Sequence, residues 1–571
     1  MSKHRLGLYG YCAKHPDHGG THNAGAALLK QGRLVAAVEE ERLSRIKMDA
    51  HYPVRAIDWV RQFGDSESTP VAVARLSRLA MVQDVWRNMR YWARHSENSR
   101  QRRHFISAML SFTLNGIAEQ ITGKAALPTA LRQRTRHNIR HHHAHAAGGY
   151  YCCPWPDEAV LVITLDGSGD ADCGTVWIGQ QGRLQQQLAV PSPHSIGGVY
   201  TAFTRHLGFQ PTRHEGKVLG LAAYGRAEPF SERLATHISL QGDYPVFDTL
   251  LAQLAYQRFA PAIAARMADG LSREDVAAGL QATTEQTVLH FVRHWIAKTG
   301  VNRLALAGGV FANVKLNQRI MQLDEVDNIY IFPNMGDGGL AAGAAMAADA
   351  YEHGSLSPQL LSSVYLGQDI TSDDAAIALK QAQLEFQRPD NLAEVAAKLL
   401  ADGRVVARAA GRMEYGPRAL GNRTLFASCS DATINQWLNE RLQRTEFMPF
   451  APIIMEEHAA DYFPDWRPEH VAARFMTITY DASDLAKQSI PAAIHVDGTA
   501  RPQVLRQQDN PEVYAILAAY HAITGVPALI NTSFNMHEEP IVCSAHDAIR
   551  AFQLGHIDAL ICANHLTLAK A

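Results

Sequence analysis

A short motif that occurs twice, about 150 residues apart, is the strongest constraint on how this chain folds. The copies read LLKQGRLV and WIGQQGRLQ. In each of them, apolar runs flank a Gln-Gly pair, Gln31-Gly32 or Gln181-Gly182, and this pattern predicts a β-hairpin. The recurrence at the scale of a domain predicts a duplicated unit rich in strands.

Further apolar runs extend both copies. Strands are predicted before the hairpins, at Arg5 to Tyr11 and at Leu161 to Leu165. A duplicated unit of three strands with helical crossovers is typical of an actin-like ATPase, in which nucleotide binds between two similar halves. At 571 residues the chain is too long for one core, and the composition shifts near residues 353–362. A second α/β unit is therefore expected after this linker.

A histidine-rich stretch, HHHAHAAGGYY, begins a predicted helix at residue 141. His141 and His145 are four residues apart, so they share one helix face and form half of a metal site. Two acidic, glycine-flanked turns, at Asp166 and Asp337, follow strand-like runs. Two imidazoles with one or two carboxylates would suit iron, manganese or zinc. The alternative is a solvated histidine run on the surface.

Other motifs combine glycine with cationic residues. The stretch 411–423 reads GRMEYGPRALGNR, and further polar motifs contain Arg444, Arg501 and the segment 531–535. Converging arginines would bind a multiply anionic small ligand, whereas the alternative is a set of surface turns with structural salt bridges. Lys217, at a predicted helix start, could hold a phosphate, although it is not in a Walker A loop.

Ten motifs in this order resemble the O-carbamoyltransferase family, which includes the nodulation-factor, cephamycin and tobramycin carbamoyltransferases. They span nearly the whole chain and read EEERLSRIK, HHHAHAA, DGSGD, GKVLGLAAYG, LAGGVFANVKLN, GDGGLAAGAA, GRMEYGPRALGNR, RTEFMPFAP, HVDGTAR and NTSFN.

The resemblance implies an α/β protein with two domains. Residues 1–357 would form an actin-like carbamoyl-transfer domain, and residues 358–571 a YrdC-like domain. The YrdC-like domain would convert carbamoyl phosphate and ATP, supplied with Mg²⁺, into carbamoyl adenylate. The actin-like domain would then transfer the carbamoyl group to a hydroxyl of a small-molecule acceptor and release AMP. A sugar, an antibiotic core and a lipid-linked saccharide all fit as acceptor, and an amine in place of the hydroxyl stays open.

The resemblance also implies roles for individual residues. The metal ligands would be His141, His145 and Asp337 with Asp166 as a fourth, and Fe²⁺ is the implied ion, with Mn²⁺ and Zn²⁺ left open. Relatives often read His-Asp where this chain reads His22-Asn23, and His22 is the candidate general base toward the acceptor. The implied nucleotide-site residues of the first domain are Lys47, Lys217, Gly309 and Asn313. Those for carbamoyl phosphate and ATP in the second domain are Arg418, Arg444 and Arg501, with Ser533 and Asn535.

Three other functions fit parts of the sequence. A threonylcarbamoyladenosine-forming tRNA enzyme would need a basic surface, and a net charge of −2 gives little support for a nucleic-acid partner. A hydrogenase-maturation carbamoyltransferase would carry paired zinc-finger cysteines, but none of the seven cysteines forms a C-x-x-C pair. An actin-like nucleotide-dependent switch would leave the arginine motifs unused.

Irregular cysteine spacing, the lack of an apolar signal region and the lack of a membrane-spanning window predict a cytoplasmic protein without a membrane partner. The sequence leaves the oligomeric state open, with a homodimer as one option.

Overall fold

The computed structural model describes most of the chain, namely residues 4–10, 22–64, 68–75, 129–256, 260–361, 363–441 and 449–570, with isolated positions between 86 and 107. These residues form two compact units. Unit 1 comprises Met1–Ala37 and Ala50–Leu360, and unit 2 comprises Val38–Asp49 and Leu361–Ala571. The chain thus changes unit three times, whereas the sequence analysis places one boundary, after residue 357. The segment 75–135, whose sequence has a helical periodicity that suggests an insertion, lies largely outside the described residues.

Unit 1 is built from two five-stranded sheets and a small two-stranded one. Its strands are β1 His4–Tyr9, β2 Gly25–Lys30, β3 Arg33–Glu39, β4 Val71–Ala74, β5 Thr135–Ile139, β6 Val160–Gly169, β7 Asp172–Gln180, β8 Arg183–Pro191, β9 Ile238–Ser239, β10 Val246–Phe247, β11 Arg303–Ala307 and β12 Asn328–Ile331. One large sheet has the order β3-β2-β1-β4-β5, and the other has β8-β7-β6-β11-β12. In the first sheet β2 is antiparallel to β1 and β4 is parallel to it. In the second sheet β7 is antiparallel to β6 and β11 is parallel to it. The two sheets therefore repeat one topology.

The two predicted hairpins are confirmed, and their turns are alike. Gln31 and Gly32 have φ angles of 53° and 76°, and Gln181 and Gly182 have 51° and 72°. Two consecutive residues with positive φ are the signature of a type I′ turn, which suits the twist of a hairpin. The repeated Gln-Gly pair thus marks the same local structure in both copies.

Two helices occupy the space between the large sheets. The helix Leu340–His353 packs on β1, β2 and β4, while the helix His141–Tyr151 packs on β6 and β11, and the two helices contact each other. A Cβ on Gly343 would lie 1.9 Å from the Ala144 carbonyl oxygen, so only glycine permits this approach. The N-termini of both helices are consequently brought close to the ends of β1 and β6.

The remaining helices of unit 1 are mainly short. Their bounds are Val54–Val60, Thr129–Arg134, Ile196–His206, Glu215–Ala222, Glu228–Ala235, Thr249–Ala255, Ala260–Met267, Arg273–Thr299 and Val314–Met321. The longest described helix, Arg273–Thr299, is capped by the Ser272 side chain and ends at Gly300 in a left-handed conformation. No helix of the described residues is both long and apolar enough to cross a membrane.

Unit 2 contains a seven-stranded mixed sheet, a small two-stranded sheet formed by its fourth and fifth strands, and helices. Its strands are β13 Val406–Ala409, β14 Arg423–Ala427, β15 Ala451–Met455, β16 Tyr480–Asp481, β17 Thr499–Ala500, β18 Gln503–Leu505, β19 Ala528–Ser533, β20 Ala559–Cys562 and β21 His565–Leu568. The large sheet has the order β18-β15-β19-β14-β13-β20-β21. The helices are Glu40–Ser44, Ser372–Gln381, Leu392–Ala401, Ile434–Arg441, Ala459–Tyr462, Asp484–Ser489, Pro511–Thr524 and Ala545–Leu554. Leu400, Phe426, Ile453 and Leu517 are among the buried residues of its core.

One predicted turn is wrong. The residues Asp166–Gly169 continue strand β6 instead of leaving it, and the chain reverses at Asp170 and Ala171, which have φ angles of 55° and 69°. The pairing of β6 with β7 is irregular between Leu165 and Gly169. Glycines within a strand often accompany such an irregularity, and here they imitate a turn signal.

Candidate functional site

Four side chains converge inside unit 1. They come from the first two turns of the helix His141–Tyr151, from β6, and from the short turn Asp337–Gly339 that precedes the next helix. The ligand-type atoms of His141, His145, Asp166 and Asp337 all lie within 4.8 Å of one another. The residues that were singled out as metal ligands are thus neighbours, although Asp166 and Asp337 are 171 positions apart in the sequence.

The spacing of these atoms matches a coordination sphere. The two Nε2 atoms are 3.1 Å apart, and the His145 Nε2 lies 3.1 Å from Asp166 Oδ2 and 3.6 Å from Asp337 Oδ1. Bonds of about 2.1 Å to a central ion place neighbouring ligands roughly 3.0 to 3.4 Å apart, for octahedral and tetrahedral geometry respectively. Nitrogen and carboxylate donors suit a first-row divalent ion. The donor set therefore fits Fe²⁺, Mn²⁺ or Zn²⁺.

The cluster is buried and strongly coupled. Burial by itself would lower the pKa of His141, but the carboxylates of Asp337 and Asp166 raise it to about 9. Burial would likewise raise the pKa of Asp337, yet His22, His141 and His145 lower it to about 2. Two carboxylates and two imidazoles thus create a site that favours a positive charge. A metal ion would supply that charge in place of a proton.

The other two histidines of the motif are not ligands in this arrangement. The His142 Nε2 donates to the Asp172 carbonyl oxygen at 3.1 Å, and its Nδ1 lies 2.8 Å from the Thr164 hydroxyl. Burial and the neighbouring His141 and His145 lower the pKa of His142 to about 3, so it stays neutral. The His143 ring stacks on Trp177, 4.8 Å between centroids. Helix geometry alone therefore separates ligands from packing residues within one motif.

Tyr9, at the end of β1, is a site residue that the sequence analysis missed. Its hydroxyl donates to Asp337 Oδ2 at 2.6 Å, and both side chains are buried. The other oxygen of the carboxylate, Oδ1, lies 3.5 Å from the His141 Nε2. Tyr9 thus fixes which oxygen faces the imidazoles. A tyrosine within an apolar strand carries no sequence signal for such a role.

His22 lies beside the same carboxylate. Its Nε2 is 3.8 Å from Asp337 Oδ2, and its Nδ1 is 2.8 Å from the side-chain oxygen of Asn23. Because an amide oxygen can only accept, Nδ1 carries a proton, and in the neutral ring the lone pair would be at Nε2. Asn23 has a φ of 58°, a conformation that asparagine tolerates. The amide oxygen thus orients the imidazole.

The motif DGSGD, residues 166–170, lies next to the cluster. Asp170 Oδ2 accepts the His141 backbone N–H at 2.6 Å, which replaces a conventional N-cap of that helix. A Cβ on Gly169 would lie 2.2 Å from the His141 ring, so glycine is required there. Gly309 is adjacent too, because a Cβ on it would lie 3.1 Å from Asp166 Oδ1.

The other nucleotide candidates of unit 1 lie on helices. Asn313 caps the helix Val314–Met321 by accepting from the Leu316 N–H at 3.0 Å, and it exchanges hydrogen bonds with Gln281. Lys217 is buried near the start of the helix Glu215–Ala222. Gly309, in contrast, lies directly against the Asp166 carboxylate of the cluster.

In unit 2, two arginines of the 411–423 loop bind backbone. Arg423 is fully buried and donates to the carbonyl oxygens of Gln368, Ala410, Gly411, Asn422 and Cys543. Arg412 donates to Leu366 and Gly367. The Glu414 Oε1 accepts the N–H groups of Leu420, Asn422 and Arg423 at 2.8, 2.8 and 3.2 Å. These charges organise the loop, so for them the structural alternative holds.

The remaining substrate-binding candidates of unit 2 differ in burial and in their contacts. Arg418 and Arg501 are half-buried on the 411–423 loop and after β17. Ser533 ends β19 and pairs with Thr424. The Asn535 side chain donates to the Met536 and Glu539 carbonyls, which gives it a structural role in its own loop. Arg444 lies outside the described residues.

Lys47 belongs to unit 2. The segment Val38–Asp49 is part of that unit, and the Lys47 Nζ lies 3.7 Å from Glu41 Oε1. The sequence analysis grouped Lys47 with the nucleotide site of the first domain. In the structure, Lys47 belongs instead to the unit that contains the arginine-rich loop.

Comparison with known proteins gives the family. The model for the carbamoyltransferase N-terminus matches residues 19–346, and the model for the carbamoyltransferase C-terminus matches residues 397–569. An uncharacterized protein of Synechocystis sp. is 31% identical over 96% of this chain and 95% of its own length. The nodulation protein NolNO of Sinorhizobium fredii is 31% identical over 95% of this chain and 78% of its own length.

A solved structure, full-length HypF in its phosphate- and nucleotide-bound form, aligns with 62% of this chain and 56% of that chain. The identity is 14% and the TM-score 0.32, a similarity too low to support an inference. The two family models together span both units and most of the chain. The chain therefore belongs to the carbamoyltransferase family, and it is a transferase.

Proposed function

We propose that unit 2 makes carbamoyl adenylate and that unit 1 transfers the carbamoyl group to an acceptor hydroxyl. Carbamoyl phosphate, ATP and water would yield carbamoyl adenylate, phosphate and pyrophosphate. The acceptor oxygen would then bond to the carbamoyl carbon as the bond to the AMP phosphate oxygen breaks. The single observation that carries this proposal is the convergence of His141, His145, Asp166 and Asp337 in a chain of the carbamoyltransferase family.

The folds of the two units support the assignment of the two steps to different units. The order 3-2-1-4-5, present in both large sheets of unit 1, is compatible with an actin-like domain. The mixed sheet of unit 2 and its arginine-rich loop are compatible with a YrdC-like domain. Carbamoyl phosphate and ATP carry several negative charges, and half-buried Arg418 and Arg501 are suited to neutralise them.

In unit 1, the four ligands would hold Fe²⁺, Mn²⁺ or Zn²⁺, which would act as a Lewis acid toward the phosphate of the adenylate. The protein's own groups act around it. Tyr9 orients the Asp337 carboxylate through its 2.6 Å hydrogen bond. His22, with its Nε2 lone pair, would accept the proton of the acceptor hydroxyl, and Asn23 keeps Nδ1 protonated during that step.

A direct test uses the full chain with Mg²⁺-ATP and carbamoyl phosphate. We expect pyrophosphate release that depends on carbamoyl phosphate, measured with a coupled assay. A reaction without carbamoyl phosphate is the control. Release of ADP and phosphate, with no pyrophosphate, would contradict adenylate formation and would favour a nucleotide-dependent switch.

The acceptor is tested separately. Mass spectrometry of saccharides and natural-product cores incubated with the enzyme should show a gain of one carbamoyl group. Fragmentation distinguishes a carbamate on oxygen from a urea on nitrogen. Since adenylate formation needs no acceptor in this scheme, a failed acceptor screen leaves the pyrophosphate result as a separate test of unit 2.

A further inference from the structure

We propose that Arg42 is a positioning residue for the 411–423 loop, so that the segment Val38–Asp49 is a working part of the adenylate-forming site. This inference rests on the function proposed for unit 2. The residue is about 370 positions away from the loop in the sequence. Its role follows from contacts within unit 2.

The guanidinium of Arg42 reaches the loop backbone. The side chain is 4% exposed, and its Nη2 donates to the carbonyl oxygen of Gly416 at 3.0 Å. Gly416 has a φ of 137° and precedes Arg418 by two residues. A carbonyl at such a glycine has more conformational freedom than elsewhere, so an external donor has a large influence on its direction. Arg42 thus restrains the backbone that carries Arg418.

A buried carboxylate keeps Arg42 in place. Glu41, whose side chain is 2% exposed, has its Oε1 3.4 Å from the Arg42 Nη1. The other oxygen, Oε2, accepts the Met48 N–H at 2.7 Å. Burial acts to raise the pKa of Glu41, but Arg42, Lys47 and the Met48 N–H oppose it, and the net shift is downward. Glu41 is therefore ionised at neutral pH and orients both Arg42 and Lys47.

A second arginine on the same short helix attaches the segment elsewhere. Arg45 donates to the carbonyl oxygens of Ile541 and Pro540, both at 2.7 Å, and its Nε lies 3.4 Å from Asp547 Oδ1. None of these partners belongs to the 411–423 loop. Attachment of the segment and restraint of the loop are thus assigned to different residues, which provides a matched control.

Two side chains hold the 411–423 loop through hydrogen bonds to its backbone, and they come from different parts of unit 2. Glu414 binds three of its N–H groups from within, and Arg42 binds a carbonyl from the segment 38–49. With Glu414 intact and Arg42 removed, the loop would remain folded while Arg418 became less restricted. A less restricted arginine binds an anion more weakly, because more conformational freedom is lost on binding. The expected defect is in substrate affinity.

The test compares Arg42→Met, Arg42→Lys and Arg45→Met in the full chain. Labelled pyrophosphate exchange into ATP, dependent on carbamoyl phosphate, gives KM and kcat without any acceptor. For Arg42→Met we expect the KM for carbamoyl phosphate to rise about tenfold, with kcat within about threefold of wild type. Arg42→Lys, which still donates to Gly416, should bring the KM to about threefold above wild type.

Arg45→Met should leave the KM within about twofold of wild type. An equal rise for Arg45→Met and Arg42→Met would overturn the proposal, because the effect would then be general loss of the segment. A wild-type KM for Arg42→Met would also overturn it. If Arg42→Met does not melt cooperatively, Arg42→Gln, whose amide is too short to reach the Gly416 carbonyl, decides, and a wild-type KM for that variant contradicts the proposal. Absence of exchange by wild type would instead refute the proposed function.

Discussion

Charged side chains serve different ends in the two units. In unit 1, His141, His145 and Asp337 point at one another across less than 4 Å, with hardly any backbone partner among them. In unit 2, Arg423 and Glu414 point at backbone carbonyls and N–H groups. In the first arrangement the clustered donor atoms can still bind a cation. In the second, the charged groups are already hydrogen-bonded to the backbone. A charged residue in a functional motif is therefore informative only once its partner is known.

The sharpest way to break this comparison is to remove a ligand from unit 1. His145→Ala should reduce bound metal to background and reduce transfer by at least about a hundredfold, while pyrophosphate exchange stays within about threefold. Metal analysis after dialysis against Fe²⁺, together with both activity assays, measures this. His143→Ala is the matched control, since His143 lies on the same helix but stacks on Trp177 of strand β7. Full metal content in His145→Ala would refute the ligand assignment.

A second comparison sets two arginines of one loop against each other. Arg423→Ala removes five hydrogen bonds to backbone carbonyls and should lower the free energy of unfolding by about 4 kcal/mol, seen as a lower melting temperature. Arg418→Ala should change stability by less than about 1 kcal/mol yet reduce pyrophosphate exchange about a hundredfold. Equal melting temperatures for the two variants would contradict the division between structural and substrate-binding arginines.

Tyr9→Phe tests the hydrogen bond that orients the candidate ligand Asp337. Without the hydroxyl, the Asp337 carboxylate loses a 2.6 Å hydrogen bond and becomes less well oriented. We expect metal affinity to fall about tenfold, measured by competition with a chelator, with the melting temperature nearly unchanged. An unchanged affinity would mean that the ligand geometry is set by the helices alone.

The smallest effect is expected at Asn23. Asn23→Gly suits the positive φ and removes the amide, so transfer should fall about fivefold while pyrophosphate exchange is unchanged. Asn23→Asp keeps an acceptor for the His22 Nδ1 and should retain most of the transfer activity. If Asn23→Gly transfers at the wild-type rate, orientation of His22 by its neighbour is not needed.

Local patterns predicted much of the fold. The two Gln-Gly pairs predicted hairpins because a type I′ turn demands particular residues at adjacent positions. The four-residue spacing of His141 and His145 predicted a shared helix face, because residues four apart lie about one helical turn from each other. In contrast, the strand-interior glycines of DGSG suggested a turn that the structure puts at Asp170 and Ala171.

Long-range contacts limited the rest. No sequence spacing shows that Tyr9 binds Asp337, because the two are 328 residues apart. Likewise, Arg412 and Arg423 resemble Arg418 in the motif, and only the carbonyls around them reveal their structural role. The assignment of Lys47 to unit 2 required the contacts of its whole segment.

The interleaved course of the chain has a consequence for dividing the protein or exchanging its parts. A gene fragment that begins at codon 361 encodes unit 2 without the twelve residues Val38–Asp49. Such a fragment would lack the partner of Gly416, and a chimaera joined at the same point would combine a segment from one parent with a loop from the other. Recombination between relatives should therefore preserve matched pairs of these two stretches, so that they are inherited together despite the distance between their codons.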